Sequence, residues 1–113
     1  MRSVHLLLIS IVAAVALAAP VLAASPATTL IGTDGPGFTI TMNKKTVKAG
    51  TYVVVVRDRS PIHNFHLIGR GVDKATSVAG VGTKRWKLKL TKGTYNLVCD
   101  PHVAIMRGVL KVT

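Results

Sequence analysis

Beyond residue 24 no stretch of this sequence repeats its apolar residues at helical spacing, and residues 51–56 carry four consecutive valines. β-Branched side chains are stiff about χ1 and pack well on a pleated surface. An unbroken valine run therefore suits a central strand covered on both faces. Around it lie short segments of the same character, at residues 28–32, 38–42, 62–68, 84–90, 94–99 and 108–112. Phe38, Ile40 and Met42 alternate with threonines, and Trp86, Leu88 and Leu90 alternate with Arg85, Lys87 and Lys89. Alternation of this kind marks strands with one face inward. Gly35-Pro36-Gly37, Asn43-Lys44-Lys45, Ala49-Gly50, Ser60-Pro61 and Lys92-Gly93 read as the turns between them. Residues 69–82 are glycine-rich and loop-like, with one helical turn expected near residues 72–75. Seven to eight short strands without intervening helices predict an all-β Greek-key β-sandwich.

The first residues read differently. Arg2 precedes an apolar run over residues 6–19 broken only by Ser10, then Pro20 and small residues. This is the pattern of a signal peptide over residues 1–23, cut after Ala23 or Ala24. The alternative is an uncleaved anchor, because residues 6–24 approach the ~20 needed to span a bilayer. Either way the domain at residues 24–113 is expected outside the cytoplasm, periplasmic or extracellular, and after cleavage without stable membrane insertion. A chain of 113 residues builds one small domain. Its single cysteine excludes an internal disulfide and a CxxC redox pair.

Charge narrows the partners. Fifteen Lys and Arg stand against four acids, a net charge of +11. Such a field favours an acidic redox protein or an anionic envelope surface as partner. Nucleic acid is disfavoured, since export removes the chain from it and no recognition motif is present. Nothing suggests a stable oligomer, and a monomer is expected.

The chemistry concentrates in Cys99-Asp100-Pro101-His102-Val103-Ala104-Ile105-Met106. A thiol, an imidazole and a thioether within eight residues make a soft donor set suited to copper. A single loop cannot enclose an ion, so a further ligand should come from another strand. Ile62-His63-Asn64-Phe65-His66 offers two histidines. Residues three apart on a strand face opposite ways. His63 shares its side with Phe65 and Leu67, the core side, whereas His66 falls with Asn64 and Ile68. A lone buried cysteine is commonly just a small hydrophobe. A free thiol in an oxidising compartment is a liability unless metallated.

These residues resemble the blue-copper cupredoxins of the plastocyanin, pseudoazurin and amicyanin type. The resemblance rests on His63-Asn64, on Gly93-Thr94-Tyr95 leading into the cysteine strand, on Cys99-x-x-His102 followed by Met106, and on Met106-Arg107-Gly108. It spans roughly residues 28–113. It implies a β-sandwich holding one copper ion, with His63, Cys99 and His102 as equatorial ligands and Met106 as the axial one. It further implies that Asn64, beside the first histidine, ties the two ligand loops together by hydrogen bonds, an exposed strand amide being the alternative, and that Asp100 stands next to the ligands as support. Three residues separate His102 from Met106, where plastocyanin-like loops have four and amicyanin-like loops two. The implied function is one-electron transport, not enzymatic catalysis, since no acid–base pair or nucleophile triad is visible. A copper-handling carrier using the same ligands is the alternative, and a sandwich with a structural metal or none, held to an acidic partner by its lysines, is a third reading.

Overall fold

A computed structural model describes residues 9–21 and 25–113. The chain forms nine strands: β1 (Thr28–Asp34), β2 (Ile40–Met42), β3 (Thr46–Val47), β4 (Gly50–Asp58), β5 (His66–Gly69), β6 (Val72–Ala75), β7 (Gly82–Leu90), β8 (Gly93–Val98) and β9 (Arg107–Val112). One 3-10 turn, Asp100–His102, lies between β8 and β9. The strands make two sheets, ordered β2-β1-β4-β7 and β3-β9-β8-β5-β6. β1 runs parallel to β4 and β3 parallel to β9, and the other pairs are antiparallel.

The core is the space between the sheets. Leu30, Val54 and Val56 from the first meet Leu67, Tyr95, Leu97 and Leu110 from the second, with Phe65 from the loop before β5 packed among them. The valine run holds the interior position its composition demands. Val54 and Val56 point into the core, and Val53 and Val55 lie in register with Lys87 and Arg85 on the outer face. On β7 the expected alternation holds, with Trp86 and Leu88 half-buried, Leu90 buried, and Arg85, Lys87 and Lys89 exposed.

Three local expectations are corrected. Residues 72–75 are a strand, not a helical turn, because Val72 to Ala75 pair antiparallel with His66 to Gly69. The segment at 62–68 becomes a strand only at His66, since Ser60-Pro61 carries the turn further than its two residues suggest. Phe38 lies outside β2, whose inward residue Ile40 is buried while Phe38 is half exposed.

Register fixes where the connections go. Asp34 pairs with Asp58, Asp58 with Gly82, His66 with Ala75 and with Val98, and Val98 with Arg107. These residues sit at the strand ends that feed four loops: 35–39, 59–65, 76–81 and 99–106. All four gather at one pole of the sandwich. Thr28 and Thr113 lie at the other pole, where Thr113 N–H donates to the Val47 carbonyl at 2.9 Å. The expected leader at residues 1–23 falls partly outside the described residues, as does its cleavage site. Residues 9–21 form neither helix nor strand and are exposed. No helix among the described residues is long and apolar enough to cross a membrane.

Candidate metal centre

Three loops of that pole bring their chemistry to one point. The loop after β4 delivers His63, fully buried, and Asn64, nearly so. β8 leads directly into the buried Cys99, which caps the 3-10 turn that contains Pro101 and ends at the half-buried His102. The turn is drawn tight by backbone bonds from the His102 N–H to the Cys99 carbonyl and from the Met106 N–H to the His102 carbonyl, at 3.0 and 2.8 Å. Cys99 N–H in turn donates to the Met106 carbonyl at 3.0 Å, closing the loop across its mouth. Met106 is completely buried at the foot of the loop.

The donor atoms form a small triangle. His63 Nδ1 and His102 Nδ1 are 3.0 Å apart, and the Cys99 Sγ lies 3.8 Å from the first and 3.6 Å from the second. The point equidistant from all three is about 2.0 Å from each, the length of a metal–imidazole bond and slightly short of a metal–thiolate bond. Two Nδ1 lone pairs and a sulfur facing one centre form a poor hydrogen-bond arrangement and a fitting trigonal cradle for a copper ion. With Nδ1 turned inward, the other ring nitrogen of His63, Nε2, is buried and has no partner among the described residues.

The loops are fastened to one another around this triangle. Asn64 Nδ2 donates to Asp100 Oδ2 at 2.8 Å, and the Asp100 N–H returns a bond to Asn64 Oδ1 at 2.8 Å. Asn64 Nδ2 also reaches the Thr76 carbonyl at 3.2 Å. The Asn64 backbone N–H lies 3.5 Å from the Cys99 sulfur, positioned to stabilise negative charge there. Asp100 is held below the usual carboxylate range. Burial pushes it up, but hydrogen bonds from His66 and Asn64 and the His66 charge outweigh that.

Of the residues singled out in the sequence, His63, Cys99 and His102 meet in the triangle, with Met106 closing the same loop. His66 does not join them. The premise that His63 and His66 occupy one continuous strand is corrected, because His63 precedes β5, but His66 still points away. Sequence reasoning missed Phe38. Its ring centroid lies 5.0 Å from those of His63 and His102, edge-on to the first and nearly perpendicular to the second. Gly35 makes this possible. Its φ of +67° and the close approach of Ser60 leave no room for a side chain, and the turn brings Phe38 over the histidines. The cue was the Gly-Pro-Gly triplet before an aromatic, which by itself reads only as a turn.

The model of the copper-binding proteins of the plastocyanin/azurin family matches residues 27–113. Among solved structures the chain is similar to reduced auracyanin from Roseiflexus castenholzii, at 20% identity over 77% of this chain and 98% of that one, with a TM-score of 0.56. It is similar to the Met148Gln mutant of rusticyanin at 21% identity, 75% and 76% coverage and a TM-score of 0.58. A third likeness is an azurin from Methylomonas sp. strain J, at 18% identity, 78% and 99% coverage and a TM-score of 0.53. No curated protein matches the chain. With the match running through both sheets and every loop of the metal pole, this chain belongs to the plastocyanin/azurin family, a blue-copper cupredoxin with one copper as its cofactor.

Proposed function

We propose that this chain is an exported one-electron carrier in which His63, Cys99, His102 and Met106 would hold copper. The observation that carries the reading is the donor triangle, whose centre lies about 2.0 Å from all three atoms before any ion is present. Copper supplies the chemistry, a single electron exchanged between Cu(I) and Cu(II).

The residues supply the rest. Paired backbone bonds and the Asn64–Asp100 bridge hold the ligand loops, so little rearrangement accompanies transfer. His63, Cys99 and Met106 are shielded from water, which favours outer-sphere transfer over chemistry on a bound substrate. With Met106 as a fourth donor no coordination position would stay open, in keeping with a carrier that is not an enzyme. His102 is the most accessible of the four, and the exposed Phe38, Ile62, Val103 and Ile105 belong to the loops around it. That supports His102 as the electron's exit towards a partner protein.

The partner is an acidic redox protein. Among the described residues no Lys or Arg is paired with an acid, so the cations are free to steer an anionic surface. Arg2 and the apolar run behind it support export to the periplasm or beyond, with cleavage after Ala23 or Ala24.

Reconstitution with Cu(II) tests the reading. One copper per chain, a strong visible sulfur-to-copper band and reversible voltammetry are expected, and Cys99→Ser should abolish the band. A colourless loaded protein overturns it. A blue protein that yields its copper readily to a chelator and lacks reversible voltammetry would be a copper-delivery protein instead.

A further inference from the structure

His66, which the metal triangle leaves out, is itself tightly held. It opens β5, three residues after His63, and its ring is mostly buried. Nδ1 lies 2.8 Å from Asp100 Oδ1, and Nε2 lies 2.6 Å from Asp73 Oδ1. An ionised carboxylate accepts hydrogen bonds and cannot donate them, so a ring that ends on a carboxylate at both nitrogens carries both protons. Asp73 comes from β6 and Asp100 from the 3-10 turn. The β8 residue in register with His66 is Val98, which is apolar. Lys74, next to Asp73, places its Nζ over the Trp86 ring at 6.0 Å. The two carboxylates are therefore the charged groups that face the imidazole.

One of them leads to the metal centre. Asp100 receives His66 on Oδ1 and Asn64 on Oδ2, and the Asn64 backbone N–H is directed at the Cys99 sulfur. An unbroken series of hydrogen bonds thus runs from the surface carboxylate of Asp73 through His66, Asp100 and Asn64 to Cys99. Nothing in the ligand set requires its outer half.

We propose that His66 is a positioning residue for electron transfer: its imidazolium holds the Asp100 carboxylate against Asn64, keeps the Asn64 amide on the Cys99 sulfur, and so raises the reduction potential of the site. The inference rests on reading Cys99 as the copper thiolate. A cation and an N–H donor directed at the sulfur favour the reduced centre, which carries one positive charge fewer. Burial of the ring disfavours its charge, but hydrogen bonds to Asp100 and Asp73 and their negative charges outweigh this and raise its pKa. His66 accordingly stays charged above the pH at which a free histidine loses its proton. When it does deprotonate, the potential falls.

The copper-loaded chain is followed by voltammetry from about pH 6 to about pH 9, upward from the ordinary range of a histidine. Wild type is expected to show a downward step in potential. His66→Gln should keep the blue band, have a lower potential at neutral pH and lack that step. Asp73→Asn removes one carboxylate far from the ligand loop, and should move the step to lower pH. NMR of the metal-free protein gives a readout independent of copper, with the His66 ring titrating at lower pH in Asp73→Asn than in wild type. A blue His66→Gln with the wild-type potential and pH profile overturns the proposal. If His66→Gln does not fold, an Asp73→Asn profile identical to wild type overturns it. A wild-type chain without a blue band overturns the copper reading, and this inference with it.

Discussion

Asp34 and Asp58 stand opposite each other at the last register position of the parallel β1–β4 pair, both buried, beneath the loops of the metal pole. Asp58 Oδ1 accepts the Ser60 N–H at 3.2 Å, whereas both Asp34 oxygens and Asp58 Oδ2 find no other donor among the described residues. A proton held at Asp34 would relieve the repulsion between two buried carboxylates. Burial first, then the Asp58 charge and its hydrogen bond, push Asp34 up from 3.8 to about 7.

The consequence is a stability that depends on pH in a particular direction. The folded chain binds a proton at Asp34 over a range in which the unfolded chain has released it. The contribution of Asp34 is therefore fully present near and below pH 4 and is lost as pH rises to about 7, by on the order of 4 kcal/mol at ~1.4 kcal/mol per unit. His66, with its raised pKa, adds a loss in the same direction at higher pH. Asp34→Asn isolates the acid pair. Urea unfolding at about pH 5 and about pH 7 should show wild type weakening and the variant nearly level. An equal slope in both would place the proton elsewhere.

The two histidines between β4 and the start of β5, His63 and His66, should separate cleanly. His63→Ala removes a corner of the donor triangle and is expected to eliminate the visible band of the copper protein. His66→Ala leaves all four proposed ligands and should retain the band. Absorption spectra of the two variants after Cu(II) loading decide the matter, and the reverse pattern would exchange their roles.

Gly32 offers a test of the packing under the site. A methyl group there would run into the Phe65 ring, which fills the core two residues from His63. Gly32→Ala should cost ~1–3 kcal/mol, the usual penalty for overfilling a well-packed core. The urea midpoint is expected to drop, and an unchanged midpoint would show that Phe65 has another place to go.

Charge reversal addresses docking. Arg107 directly follows Met106 at the metal pole, whereas Lys87 sits midway along β7 on the outer face. Steering by surface charge contributes factors of roughly 10 to 1,000 in association rate. It fades as salt shortens the Debye length to ~8 Å at 0.15 M. Arg107→Glu should slow electron transfer to an acidic partner more than Lys87→Glu, and both differences should shrink at high salt. Stopped-flow rates that ignore both salt and mutation would leave the basic surface a role in solubility alone.

The parts of the site that were legible in the sequence are those the chain keeps local. Cys99 and His102 fall in one loop, so spacing and donor softness suffice to single them out, with Met106 closing the same loop. His63 was found on a premise that failed. Strand parity assumed a continuous strand from residue 62, yet the residue is buried because the loop after β4 folds it under Phe38. β6 was read as loop because Asp73, Lys74 and Ala75 are all exposed and Val72 alone is buried, so no alternation shows. The Asp34–Asp58 pair and the Phe38 cover arise from residues more than twenty positions apart. No periodicity encodes such meetings, which exist only once β1 lies beside β4.

Both ends of the sandwich chain, Thr28 and Thr113, leave the fold at the pole away from the donor triangle. Either end can therefore be tethered, to a lipid anchor, a fused partner domain or a conducting electrode, with the electron-exchanging face still turned outward. Wiring this protein through one terminus and then through the other should give films of matching electrochemical response.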